Sequence, residues 1–376
     1  MDIESTLSAL RESGNLRRVP ADSRASAAVD LSGNDYLGLA VRDDLRREFM
    51  AEACERGYAM SASASRLLAS HQSEFDALER CIAQAYRRPA LLFNSGYHAN
   101  TGMIAALTAD KRTLVVADRL VHASIIDGIR LGGAPMERFR HNDYGHLRRI
   151  LAAKAKDYAG VLIVAESIYS MDGDRADLEK LLELKRLYPN VMLYVDEAHA
   201  FGVLGPKGLG VSAGCSDPSQ VDIIVGTFGK AVASMGAFAI TSRDMHDYLV
   251  NTSRSFIFST ALPPMSAAWT RFTLGYLIRK DNRRQHLQRL GEQLKGVLEK
   301  YTDHQIVASH IQPLIVGDPK KAVELSRQLL SRYGIKALPI RRPTVPAGTE
   351  RLRFSLSANM IPRDIEALDS ALYDLM

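Results

Sequence analysis

Three places in this chain combine residue types and spacing that could do chemistry, and each follows a short apolar, β-branched run. Leu91-Leu92-Phe93 leads into Asn94-Ser95-Gly96-Tyr97-His98-Ala99-Asn100. A Ser-Gly-Tyr turn that opens a helix aims backbone N–H groups at an anion, most naturally a phosphate; a plain helix cap would use the same residues. Leu193-Tyr194-Val195 leads into Asp196-Glu197-Ala198-His199. A carboxylate at a strand end can pair with a protonated ring nitrogen or hold a metal. Val221–Val225 leads into Gly226-Thr227-Phe228-Gly229-Lys230. A lysine among small apolar residues loses hydration, which favours the neutral, nucleophilic amine, although a lone lysine can also snorkel to solvent. Thr227, three residues earlier, could hydrogen-bond a phosphate.

Asp196–His199 also spells the DEAH box of helicases, whose Asp sits over Mg²⁺. Such an NTPase needs a G-x-x-x-x-G-K-[ST] loop, normally upstream of the box. Gly226–Ala231 lies downstream, has different glycine spacing, and carries Ala231 where the Mg²⁺-binding hydroxyl belongs, so a DEAH-type NTPase is only a remote alternative. The three junctions instead complement one another. A phosphate-binding helix start, a strand-end Asp and a later Lys are what pyridoxal 5′-phosphate (PLP) requires for its phosphate, its pyridinium nitrogen and its aldehyde.

The elements that must hold these residues follow from periodicity. Apolar runs at Ala90–Phe93, Thr113–Ala117, Gly160–Ala165, Val191–Val195, Val221–Val225 and Gly236–Ile240 alternate with helical spacing at Ser73–Tyr86, Ala99–Leu107, Tyr144–Ala155 and Leu178–Leu187. Strands apolar throughout, alternating with helices, predict an α/β fold with a mostly parallel sheet covered on both faces. Ligands of such sheets bind beyond the carboxyl ends of the strands. After Pro263-Pro264 the pattern changes to long amphipathic helices, with strands near Ile311–Val316, Ile335–Ile340 and Arg351–Ser357. The expected division is an N-terminal arm and loop (1–45), a large domain (46–262) and a small α+β C-terminal domain (263–376). Along Arg351–Ser357, Leu352, Phe354 and Leu356 alternate with Arg351, Arg353, Ser355 and Ser357. That alternation fits either a guanidinium aimed at a carboxylate or a solvated strand face.

Composition bounds the rest. The 376 residues are 46% hydrophobic and 24% charged, with formal net charge +5, ordinary for a globular protein and unlike a disordered or fibrous chain. The mild, dispersed basicity points to anionic small molecules and away from nucleic acid. No run approaches the roughly 18 apolar residues of a membrane span, and the acidic start MDIESTLSALRESGNLRR lacks the pattern of a signal peptide. Cys54, Cys81 and Cys215 are odd in number and show no metal-ligand spacing, so no metal site is expected. Cytoplasmic localisation is the expectation.

At these residues the chain resembles the α-oxoamine synthases, fold-type I PLP enzymes that condense an amino acid with an acyl thioester and release CO₂. The resemblance runs from Asn34-Asp35-Tyr36-Leu37-Gly38, through Ser65-Arg66-Leu67, Asp118–Ser124, His141-Asn142-Asp143 and Tyr169–Asp174, to Leu352-Arg353-Phe354-Ser355. It implies that Lys230 holds PLP and later removes the Cα proton, that Asp196 pairs with the pyridine nitrogen, and that His122 stacks on the ring. It further implies that His199 and Ser170 lie near the phenolic oxygen, with His199 a donor to the thioester carbonyl. Gly96, Tyr97 and Thr227 would hold the phosphate, and Ser259-Thr260 would reach the phosphate of a neighbouring subunit in a homodimer. Arg353 would bind the amino-acid carboxylate, and Asn34, Thr344 and Arg18 complete the expected substrate set. Pro343–Thr349 with Arg351-Leu352-Arg353 is most similar to members that join L-alanine to a pimeloyl thioester, carried on CoA or an acyl carrier protein (ACP). Other members use glycine, serine or 2-aminobutyrate. The chain departs from the family at Ser61–Ser65 and at Ala231–Gly236, where relatives carry more glycine.

Overall fold

The computed structural model describes residues 2–17, 19 and 27–376. They form two compact units, a larger one (Leu37–Tyr169, Arg175–Asp281) and a smaller one (Met1–Tyr36, Ser170–Asp174, Asn282–Met376). In chain order, β1 (Val29–Asp30) belongs to the smaller unit. The larger unit holds β2 (Ala90–Phe93), β3 (Thr113–Asp118), β4 (Met136–Phe139), β5 (Gly160–Glu166), β6 (Val191–Asp196), β7 (Ile223–Thr227) and β8 (Ala237–Ile240). The smaller unit resumes with β9 (Ile311–Ile315), β10 (Ile335–Lys336), β11 (Leu338–Ile340) and β12 (Arg351–Ser355).

The seven-stranded sheet of the larger unit runs β2-β8-β7-β6-β5-β3-β4. β8 alone runs opposite to the other six strands, so this is the expected mostly parallel, fold-type I sheet. β5, β6, β7 and β8 are buried almost end to end, as strands covered on both faces must be. The helix Gly96–Leu107 is apolar over most of its circumference and lies largely inside. It packs Met103 and Ile104 with Leu91, Val115, Val164 and Val225 in one core. β4 was not expected: its Met-Glu-Arg-Phe sequence is half exposed at the sheet edge, where no continuous apolar run is needed.

The helix Pro264–Leu277 lies in the larger unit, not with the C-terminal part, and the division falls at 281/282 rather than 262/263. Pro263-Pro264 starts a helix here, as Pro at the first helical position commonly does. That helix stays with the larger unit through Trp269, whose indole donates to the Ala233 carbonyl and whose ring meets Phe49 edge-on at 5.1 Å. In the smaller unit β9, β12 and β11 form an antiparallel sheet. The first 45 residues are also more than arm and loop. They hold the helix Ile3–Glu12, strand β1 paired in parallel with β10, and the start of the helix Asp43–Arg56. Among the described residues no helix is long and apolar enough to cross a membrane, and no cluster of three metal-ligating side chains occurs.

Candidate active site

The carboxyl ends of β5, β6 and β7 place Glu166, Asp196 and Thr227 side by side, with Glu166 and Asp196 in direct register. Four residues past β3, His122 caps the helix Ala123–Gly132. These four residues, with Gly96, Tyr97 and Lys230, border one open cleft. The strand-end rule thus brings all three predicted junctions to one place.

Lys230 Nζ lies 2.7 Å from His199 Nε2, so the amine and the imidazole share a proton position. Asp196 is buried. Its Oδ1 accepts the Ala198 N–H at 2.8 Å and its Oδ2 accepts Asn100 Nδ2 at 2.7 Å. Both partners are neutral, and among the described residues no cation forms an ion pair with this carboxylate. A buried carboxylate is expensive without a positive partner, and a protonated pyridine nitrogen is such a partner. At the helix start, Ser95 accepts the His98 N–H at 3.2 Å, while helix geometry leaves the N–H groups of Gly96 and Tyr97 without intrahelical acceptors. Thr227 Oγ1 accepts the Gly229 N–H at 3.3 Å and donates to the Gly236 carbonyl at 3.0 Å. The donor set fits PLP: an amine, a buried anion, a phosphate-binding turn and an aromatic ring bordering one cleft.

The charges interact strongly. Burial, and then the negative charge of Asp196, push the Glu166 carboxyl well above its usual range, against the opposing pull of Lys230 and of the His122 N–H that it accepts. His122 is exposed to the cleft, yet desolvation on its protein side lowers its pKa. Asp196 opposes that lowering and Lys230 adds to it. Glu197, completely buried, accepts from Ser167, Ser212 and the Val211 N–H; it fixes the following loop and has no place in the cleft.

Some predicted residues lie elsewhere. Ser170 falls in the smaller unit, where its carbonyl accepts Arg353 Nε at 2.6 Å. Arg353 is buried, which removes the solvated-face alternative. It donates to Ser355 Oγ at 2.7 Å and to Asn34 Oδ1 at 3.1 Å, and among the described residues no carboxylate forms an ion pair with it. Its neighbour Arg351 does pair, with Asp172. Thr344 is exposed and accepts from Arg17 at 2.9 Å, and Arg18 lies outside the described residues. Ser259 and Thr260 do not border the cleft; Thr260 is exposed and bridges to Ser65. Three polar residues of the cleft were not among those predicted: Asn100, Ser124 and Glu166. Glu166 ends an apolar run just as Asp196 does, so the strand-end rule applied to Gly160–Ala165 would have found it.

Comparison with known proteins agrees with this geometry. The pattern describing class I and II aminotransferases matches residues 26–372. A putative 8-amino-7-oxononanoate synthase of Pasteurella multocida (strain Pm70) is 49% identical over 349 residues, covering 92% of this chain and 90% of that protein. An 8-amino-7-oxononanoate synthase of Haemophilus ducreyi is 46% identical over 352 residues, covering 92% and 90%. Among solved structures, a serine palmitoyltransferase of Sphingomonas wittichii superposes with TM-score 0.88 at 29% identity, over 99% of this chain and 95% of that one. An 8-amino-7-oxononanoate synthase from Francisella tularensis superposes with TM-score 0.78 at 28% identity, over 92% and 97%.

Proposed function

Because the chain belongs to the class I and II aminotransferase family, as a PLP-dependent acyltransferase of the α-oxoamine synthase type, we propose that it joins L-alanine to a pimeloyl thioester. The products are 8-amino-7-oxononanoate, CO₂ and the free thiol, a step of biotin biosynthesis. The observation that carries the catalytic scheme is that one cleft is bordered both by Lys230 and by a buried Asp196 whose hydrogen-bond partners are neutral. The choice of alanine and pimeloyl is supported by the names of the relatives that share almost half of the residues.

In this scheme Lys230 Nζ would hold PLP through its aldehyde and would serve as the base that takes the Cα proton of the amino acid. Asp196 keeps the pyridine nitrogen protonated, and Asn100 and the Ala198 N–H hold that carboxylate in place. When bound, PLP supplies the electron sink for the charge left at Cα. The N–H groups of Gly96 and Tyr97 would hold the phosphate, joined by the Thr227 hydroxyl if it turns from the Gly236 carbonyl, and the His122 ring would lie against the pyridine. His199, at hydrogen-bond distance from Lys230 Nζ, relays the proton and donates to the thioester carbonyl as it gains charge. Arg353, a buried guanidinium held by a carbonyl and three neutral side chains, takes the amino-acid carboxylate, with Asn34 beside it. Ser259 and Thr260 complete the phosphate site of a partner subunit in a homodimer.

Mass spectrometry of the product from L-alanine and a panel of acyl-CoA and acyl-ACP thioesters tests the substrates. The expected mass is that of the pimeloyl product, and a product with a different acyl group alone overturns the substrate assignment. Lys230→Ala is expected to abolish turnover, and substantial activity in that variant without added amine would refute the catalytic scheme.

A further inference from the structure

Along the wall of the cleft, a chain of hydrogen bonds joins the carboxylate assigned to the ring nitrogen with the imidazole assigned to the ring face. Asn100 Nδ2 donates to Asp196 Oδ2 at 2.7 Å and to Ser124 Oγ at 2.9 Å. Asn100 Oδ1 accepts the Tyr194 hydroxyl at 2.6 Å, and Ser124 Oγ lies 2.7 Å from His122 Nδ1. Asn100, Ser124, Tyr194 and Asp196 are all buried, so every proton in this chain must find a partner within it.

Counting donors and acceptors fixes each orientation. An ionised carboxylate only accepts, so the Asn100 NH₂ group faces Asp196 and its oxygen faces Tyr194. Burial raises the Tyr194 phenol well above its ordinary pKa, so that hydroxyl stays a donor. The same NH₂ group donates to Ser124 Oγ, which leaves the Ser124 hydroxyl hydrogen for His122 Nδ1. The Ser124 backbone N–H points at Nδ1 as well, at 3.2 Å. A nitrogen that receives two donors carries no hydrogen of its own.

We infer that Asn100 is a positioning residue that fixes the Asp196 carboxylate and, through Ser124, holds His122 as the neutral tautomer protonated at Nε2. A neutral imidazole over a protonated pyridine ring avoids placing two cations face to face. The inference rests on the proposed roles of Asp196 and His122 toward PLP, but the tautomer itself is a property of this chain's residues. Charged and titratable groups around His122 come from every side: Asp127 on its own helix, Glu166 on β5, Asp196 on β6, and Lys230. Tyr97 and His199 share the cleft. Asp196 and Asp127 favour the imidazolium, whereas Lys230 opposes it; the serine link decides which nitrogen is hydrogen-free.

The test is ¹⁵N NMR of histidine-labelled full-length protein, with PLP and after its removal, titrated between about pH 5.5 and 8.5, with His122 assigned by loss of its signals in His122→Gln. In both forms His122 should show the shift pair of a single Nε2–H tautomer, nearly constant across the titration. Ser124→Ala, the mildest change, and Asn100→Ser should instead give the averaged shifts of two exchanging tautomers. Asn100→Ser should also weaken PLP binding about tenfold or more, because Asp196 loses a charge-assisted hydrogen bond, while Ser124→Ala should weaken it less. An Nδ1–H or charged His122 at neutral pH in the parent protein overturns the inference, as do unchanged spectra in both variants. Failure of the parent protein to bind PLP would count against the cofactor assignment alone, since the tautomer is also read without PLP.

Discussion

The loop that carries Lys230 is held by its own backbone, and a single methyl group at Gly236 should break it. The Gly236 carbonyl accepts both the Phe228 N–H at 2.9 Å and the Thr227 hydroxyl at 3.0 Å. Gly236 has φ +105°, and a Cβ there would meet Leu262 Cδ1 at 2.7 Å, the Phe93 carbonyl at 3.1 Å and the Phe228 ring at 3.2 Å. The backbone conformation costs an L-residue about 1–2 kcal/mol, and the overpacking adds about 1–3 kcal/mol. Gly236→Ala should therefore destabilise the protein by about 2–5 kcal/mol and, by moving Thr227, weaken PLP binding at least about tenfold. Three residues earlier the opposite change is expected. Ala233 already sits at φ +54°, so Ala233→Gly relieves about 1–2 kcal/mol and gives back about 0.5–1 kcal/mol through glycine's greater freedom in the unfolded chain. The net effect is a stabilisation of about 0–1.5 kcal/mol. In a chain of this size 1 kcal/mol moves the melting temperature by only about 1–2 °C, so guanidinium midpoints at saturating PLP, with separate PLP titrations, are the assay. A Gly236→Ala variant within about 0.5 kcal/mol of the parent, or an Ala233→Gly variant less stable than the parent by about 1 kcal/mol, would refute this account of the loop.

Three further outcomes are expected. Glu166 binds its proton more tightly when folded than the ordinary value of 4.5 allows. Its stabilising contribution is therefore full below about pH 4.5 and is lost as pH rises through the folded value, with a slope of up to about 1.4 kcal/mol per pH unit. Glu166→Gln should flatten denaturation midpoints measured from pH 5 to 8, and an unaltered slope would clear Glu166 of that role. Arg353→Lys should raise the KM for the amino acid about 10–100-fold through loss of the two-pronged contact and leave PLP absorbance unchanged; a KM within about twofold of the parent would remove Arg353 from the substrate site. Mixing unfolded Lys230→Ala chains with Ser259→Ala/Thr260→Ala chains and refolding them together should restore up to about a quarter of the parent activity if the two segments serve one site from different subunits, and no recovery would place both in the same chain's chemistry.

Much of this protein is determined locally and was legible in its sequence. The apolar runs that became β2, β3, β5, β6, β7 and β8 were evident because strands covered on both faces have no polar positions. Asp196, Thr227 and Lys230, singled out because ligands gather beyond the carboxyl ends of such strands, border one cleft. The helices Ser73–Tyr86 and Leu178–Arg186 fell where their apolar spacing puts them. Tertiary structure decided matters that depend on residues far apart in the chain. It assigned Pro264–Leu277 to the larger unit, because an amphipathic helix does not specify which core its apolar face will meet. It buried both faces of β12, because alternation records two kinds of side chain but not what covers each. It set Glu166 beside Asp196 through the register of two strands, and it joined Asn100 to Tyr194 across 94 residues. Buried polar groups must satisfy one another wherever the fold brings them together, so the network that tunes this site exists only once the chain is folded.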